Sequence, residues 1–444
     1  MSRSSFFHVT VLSNFARGFD KYDRTYSKHG IPESTFPDKF FLLRHHELSV
    51  GVEKATRLLE KLALSGNRLV ALETRVNDDS LQPNLQTGLG QVVESPKIPL
   101  DGLYDVISSP DGWRLEPLGV EEAVALSLRL LQPELAPFAS LWPRTLSVLP
   151  IAKGCQAACP FCFSDASVSA VQEQAKIDFD RVIAFARAAR IRRAERFVIT
   201  GGGEPGLVPH AKLTRLMALG TEYLGKSVLI TNGHHLTRLD AQQRQYVLSD
   251  YHTAGLSVLA ISRHHHDDTT NSSLMNLLTP AADIVETWRV GRDDWPGLRL
   301  RFTCVLQRNG ICDANSLAEY VAWATAVGIE EICFKELYVS TSIESVYHQH
   351  AANEWSRSHQ VPLSRVLDFA KRHGFVEVSR LPWDAPVFRG EWLGRPIQIA
   401  AYTEPSLFWE RTHGIARSWN LMADGRCLVS LEDRASELSL KEAA

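Results

Sequence analysis

Three of the seven cysteines of this 444-residue chain fall within eight positions, in CQAACPFC at 155–162. Thiols this crowded suggest metal binding or redox chemistry, and each use makes a different demand. A structural zinc site wants four ligands, and the remaining candidates, Cys304, Cys312, Cys333, Cys427 or a histidine, are distant in sequence. A redox pair at Cys159 and Cys162 leaves Cys155 idle. A [4Fe–4S] cluster uses all three, since three thiolates hold three irons and leave the fourth open to an outside ligand. That vacancy can bind a small molecule and pass an electron to it.

Other residues with chemical reach stand nearby in sequence. GGGEP at 201–205 offers a turn that permits close backbone approach, at Gly202 and Gly203, followed by Glu204 and Pro205. Asn232 lies in ITNG, and Ser262 and Arg263 in AISR. Each also reads as an ordinary strand-end cap or a solvated charge. The run HHHDD begins at His264 and supplies candidates for substrate binding or proton transfer. Lys335 and Glu336 adjoin in EICFKEL, where alternation sends one to each face of a strand. YVSTSIESVYHQH, 338–350, is polar and aromatic and suits hydrogen bonding to a substrate.

These residues share a position in a repeating pattern. From Thr145, short apolar runs alternate with helical stretches: TLSVLPI, ERFVIT, SVLIT, LSVLAIS, LRLRFTCVL and EICFKEL each precede a loop and a helix. Pro280 suits the first position of the fourth helix. Six βα units imply a parallel sheet with helices outside, either doubly wound or a partial barrel. Ligands gather at the carboxyl ends of such strands, where the cysteines, GGGEP, ITNG and RHHHDD all fall.

The spacing C-x3-C-x2-C with Phe161 before the last cysteine, together with GGGEP after the second strand, resembles the radical S-adenosylmethionine (SAM) superfamily. The resemblance covers 145 to about 340. It implies an α/β fold, a partial (βα)6 TIM-like barrel, with a [4Fe–4S] cluster on Cys155, Cys159 and Cys162. It further implies that the open iron binds the amino and carboxylate groups of SAM, whose reductive cleavage yields a 5'-deoxyadenosyl radical that abstracts hydrogen from a substrate. Glu204 then faces the methionine ammonium, Asn232 and Ser262 contact ribose and carboxylate, Arg263 pairs with the carboxylate, and Phe161 lies near the adenine. Within the superfamily the core is most similar to the molybdenum-cofactor cyclase/SPASM-twitch branch. It lacks the close cysteine pair that carries that branch's second cluster, so we expect no second cluster.

The flanks divide the chain into an N-terminal α+β domain (1–143), the core (144–342) and a C-terminal cap (343–444). In the first, Glu47–Leu64 has helical spacing, RLVALETRV reads as a strand, SSPDGWRLE as a hairpin and Glu121–Leu131 as a helix. In the last, LSRVLDFAKRHG reads as a helix, FVEVSR as a strand, and SWNLMADGRCLVSLED as a hairpin turning at Asp424-Gly425. A net charge of -3 argues against general nucleic-acid or anionic-membrane binding. No apolar run reaches membrane-spanning length, the start lacks a signal-peptide core, and the odd cysteine count does not suggest a disulfide framework, so we expect a reducing cytoplasm. The expected partners are an external one-electron donor of flavodoxin or ferredoxin type and a peptide or small-molecule substrate. The rival reading is a non-catalytic iron–sulfur redox sensor or electron carrier.

Overall fold

The structure, a computed structural model, describes residues 6–12, 44–51, 69–74, 102–109, 112–118, 136–152, 154–171, 176–340, 345–348, 350–381, 385–405 and 407–443. The chain forms two compact units, Met1–Leu135 and Ala136–Ala444.

In the first unit the described residues form one antiparallel sheet. Its strands are β1 (Phe6–Leu12), β2 (Arg44–Gly51), β3 (Leu69–Thr74), β4 (Gly102–Ser109) and β5 (Gly112–Leu118), in the order β2-β1-β3-β4-β5. The expected strand in RLVALETRV is present, and β4 pairs antiparallel with β5 as the hairpin expected in SSPDGWRLE requires. The helix expected from Glu47 is overturned at its start, because Glu47–Gly51 pairs with β1. Residues 52–64 and the helix expected at Glu121–Leu131 lie outside the described residues.

The second unit is mixed α/β. A short parallel pair, β6 (Trp142–Pro143) with β16 (Ile415–Ala416), stands apart from its main sheet. That sheet contains β7 (Thr145–Leu149), β8 (Arg196–Ile199), β9 (Ser227–Thr231), β10 (Leu256–Ser262), β11 (Arg299–Leu306) and β12 (Glu331–Glu336), each hydrogen-bonded to its predecessor. All six expected core strands are therefore present. Their order never turns back, which excludes the doubly wound alternative, whose strand order reverses at a switch point.

The crossover helices are α1 (Phe179–Ile191), α2 (His210–Leu224), α3 (Ala241–Thr253), α4 (Ala282–Gly291), α5 (Ala314–Ala326) and, after β12, α6 (Ser364–Arg372). Aspartates start three of them: Asp178, Asp240 and Asp313 accept backbone N–H groups of the first turn, satisfying donors that have no partner inside a helix. Pro280 lies before the cap of α4, not at its first position.

The C-terminal segment, expected to be a cap, also contributes strands to the main sheet. β13 (Val376–Arg380), β14 (Pro386–Trp392) and β15 (Arg395–Tyr402) run as a meander, and β15 pairs parallel to β12. At the other edge β17 (Trp419–Met422) pairs parallel to β7, and then turns at Gly425 into β18 (Cys427–Leu428) and β19 (Glu437–Leu438). The segment extends the parallel sheet on both edges. Its alternation in RPIQIAAY is strand spacing, and WNLM is a short fully buried strand.

Register decides what each face carries. Leu259, Ile261, Phe302 and Phe334 share one face and pack with Leu213, Leu216, Ile284 and Leu317 of the helices in the main core. On the opposite face Val198, Val228 and Val258 meet across β8–β10, and Ala260 packs with them. That second face ends in Ser262 beside Thr303, and Lys335 between Val305 and Tyr402.

Candidate active site

Because β7–β12, β15 and β17 are parallel, their carboxyl ends bring several loops to one side. The cysteine loop follows β7, GGGEP follows β8, and ITNG ends β9. These three turns are joined directly. The backbone N–H of Glu204 donates to Gly154 O at 2.8 Å, so the GGGEP turn lies against the residue before Cys155. A side chain on Gly203 has no room: its Cβ would enter the Gly154 carbonyl and stand 2.6 Å from Ile151 Cγ2. Gly203→Ala is expected to push the two turns apart at a cost of about 1–3 kcal/mol, read as a lower urea midpoint. An unchanged midpoint would contradict this packing.

Glu204 is the hub. It is only 3% exposed, and its Oε1 accepts from Gly206 N at 2.7 Å and from the Thr231 hydroxyl, while Oε2 accepts from Asn232 N at 2.8 Å. Burial pushes its carboxyl pKa up, and the three donors pull it down. Asn232 continues the chain of contacts. Its Nδ2 donates to Cys155 Sγ at 3.6 Å and to Gln156 Oε1 at 3.3 Å, and its Oδ1 accepts from His234 N at 2.8 Å. The amide thus reaches the sulfur of an expected cluster ligand, where a donated hydrogen bond tunes the metal it holds.

The three thiols influence one another, and such a donor set suits a cluster. Cys155 is exposed, Cys159 and Cys162 half-buried, and none is in a disulfide. Burial pushes Cys159 up to about 12 and Cys162 up to about 11, with Cys155 adding to both. A redox dithiol needs a depressed pKa, so this environment disfavours that use. Metal binding displaces the proton and removes the obstacle. Among the described residues no three His, Cys, Asp or Glu side chains converge on one ion position. Cys304 and Cys427 are buried within strands, and Cys312 and Cys333 are half-buried away from the loop.

Phe161 packs edge-on against His264 at 5.2 Å and lies 5.7 Å from Trp355. His264 itself is 3% exposed; its Nδ1 accepts from Val305 N at 3.1 Å, which places its proton on Nε2. Burial, aided by Arg263 and Lys335, pushes it down to about 3. A depressed histidine binds its proton less well folded than unfolded. Stability is therefore lost as pH falls below the ordinary value of 6.5 toward 3, at about 1.4 kcal/mol per pH unit. His264→Asn, which keeps an acceptor for Val305, is expected to lose about 2 kcal/mol less than wild type between pH 6.5 and pH 5. Parallel urea curves at the two pH values measure it, and identical losses would contradict a buried neutral imidazole.

Strand alternation decides the side on which four of the candidate residues lie. Arg263, one residue past inward Ser262, is on the helix-covered side. Its guanidinium is 5.1 Å from the Trp323 ring and is spent on Thr279 O, His266 O and Asp268, so it is not held out for a SAM carboxylate. Glu336 shares that side and accepts from Leu363 N at 3.3 Å. Ser262 and Lys335 take the other face, where the Ser262 hydroxyl is half-buried.

Lys335 leads to residues that sequence reasoning missed. Its Nζ is 2.5 Å from Glu404 Oε1, and Arg417 pairs with the same carboxylate. A small, partly open cavity lies here, lined by Lys335, Tyr338, Glu404, Glu410, Arg417 and Glu432 together with Phe163, Val429 and Leu431. Phe163 directly follows Cys162, so the cavity adjoins the cysteine loop. Tyr338 falls in the polar stretch singled out from sequence. The acidic residues come from the segment after β15, where nothing in their spacing marks them.

No protein-family model matches the sequence, and no curated protein matches it. In structure the chain is similar to Streptococcus suis SuiB bound to S-adenosylmethionine, at 15% identity and a TM-score of 0.42, over 65% of this chain and 60% of that one. It thus spans less than two thirds of that relative. It is also similar to the radical SAM coproporphyrinogen III oxidase HemN of Escherichia coli, at 14% identity and a TM-score of 0.34, over 53% of this chain and 52% of that one. A radical SAM methyltransferase from Sphaerobacter thermophilus covers 69% of this chain and 70% of its own, at 14% identity and a TM-score of 0.35. No helix among the described residues is long and apolar enough to cross a membrane.

Proposed function

We propose that the chain is a radical SAM enzyme, binding a [4Fe–4S] cluster at Cys155, Cys159 and Cys162 and SAM beside it, and removing a hydrogen atom from a peptide or small metabolite. The observation that carries this reading is the bonded circuit Gly154–Glu204–Asn232–Cys155, which locks three otherwise independent turns around one point. A structural metal loop needs no such circuit.

Each residue then has a task. The three thiols deprotonate and hold the cluster, which supplies, when bound, the electron that breaks SAM's sulfonium bond. Gly202 and Gly203 expose main-chain atoms close to the cysteine loop for the methionine amino group. Glu204 holds the two turns in register and keeps its charge near that group, and the Ser262 hydroxyl is available to SAM. Asn232 acts through Cys155, as a positioning residue. Phe161, braced by His264 and Trp355, closes one side.

The six-stranded core forms a partial barrel in this reading. The 1–143 region acts as an accessory domain for substrate or partner, a flavodoxin- or ferredoxin-type protein gives the electron, and no second cluster is bound. The test is anaerobic loading with iron and sulfide, reduction, and measurement of 5'-deoxyadenosine from SAM. Its absence with the cluster intact favours the non-catalytic alternative.

A further inference from the structure

The cavity beside Phe163 has an unusual charge pattern. Its two cations, Lys335 and Arg417, both go to one carboxylate, Glu404, which also accepts from Tyr402 Oη at 3.1 Å. That leaves two further carboxylates in the wall. Glu432, 6% exposed, accepts from the Tyr338 hydroxyl, from Ser340 Oγ at 2.7 Å and from Ser345 Oγ at 2.6 Å, all neutral donors. Glu410, also 6% exposed, accepts the Arg417 backbone N–H on Oε1, and its Oε2 has no donor among the described residues.

Neither carboxylate has a cationic partner among the described residues, and a buried charge without one is costly. Burial pushes the Glu410 carboxyl well above the usual range, and the neighbouring Glu432 pushes it the same way. The same cavity is also lined by Phe163, Val429 and Leu431, which are apolar. A ligand that satisfies all of this has an apolar stem and a positively charged, hydrogen-donating head.

We propose that this cavity is the substrate subsite and that it receives an organic ammonium group, held by Glu410 and Glu432 with its stem against Phe163. The inference rests on the reading of the cysteine loop above for the word substrate, and on the cavity alone for the ligand's chemistry. Phe163 adjoins Cys162, so a head group bound here keeps the rest of the molecule beside the cysteine loop. Two carboxylates also suit a primary ammonium better than a quaternary one, because the former has hydrogens to give to both.

The probe is 3-phenylpropylamine, titrated into the full chain by ligand-observed NMR, with 3-phenylpropanol and 3-phenylpropionate as neutral and anionic partners of similar shape. The amine is expected to bind at least roughly tenfold tighter than either. Glu432→Gln and Glu410→Gln, which keep shape and remove charge, should each erase most of that preference. Three outcomes overturn the proposal: equal affinity for the three probes, tighter binding of the propionate (an anion site at Lys335 and Arg417), or no binding of the amine. The probe comparison uses unaltered protein, so misfolded variants leave it decisive. Deoxyadenosine formation by the wild-type chain judges the cysteine loop separately, and the two readings can fail independently.

Discussion

Cys159→Ala is expected to abolish cluster binding and, with it, all cleavage of SAM. Two thiols cannot hold three irons, and no described neighbour can take over. Cys304 and Cys427 are buried in β11 and β18, and burial raises both thiols strongly against ionisation. The change should leave the fold nearly intact, because Cys159 Sγ makes only a weak 3.9 Å contact with Met275 O. Iron content and colour after anaerobic loading, measured beside a urea midpoint, separate loss of ligand from loss of fold. Full iron retention would mean that the ligands are assigned wrongly.

Glu204→Ala is the second large effect, and it falls on stability as well as on SAM binding. Removing the carboxylate strands the Gly206 N–H, the Thr231 hydroxyl and the Asn232 N–H in a buried place. Each orphaned donor costs about 1–3 kcal/mol, partly relieved by relaxation, so a loss of about 3–5 kcal/mol is expected. Glu204→Gln keeps an acceptor for the Oε1 donors but turns an N–H toward Asn232 N, so it should cost less than Ala and more than nothing. Chemical unfolding of both variants, with calorimetric SAM titration, reads the order. An alanine variant within about 1 kcal/mol of wild type would remove Glu204 from the centre of the circuit.

Legibility followed the range of the interactions. The six core strands and their helices were readable because apolar spacing is local, and the cysteine loop, GGGEP and ITNG stood out because each is a short local motif at the end of a strand, although the bonds that join them span 28 to 77 positions of sequence. Alternation alone placed Lys335 and Glu336 on opposite faces, and applied to Ser262 and Arg263 it also puts Arg263 on the face opposite Ser262. The edge strands were missed as sheet members because β15 joins β12, and β17 joins β7, only through long-range pairing; Trp419 meets Leu146 across 273 positions of sequence. The Glu404, Glu410 and Glu432 cluster was invisible for the same reason, since its members are united by that pairing and not by any spacing.

The most direct test of the central claim is the yield of 5'-deoxyadenosine from SAM. The chain is loaded anaerobically with iron and sulfide, reduced with dithionite and given SAM, and the nucleoside and methionine are quantified together. Both are expected to form in equal amounts in the wild-type protein and neither in Cys159→Ala. A wild-type protein that holds its cluster and forms no deoxyadenosine would contradict that claim.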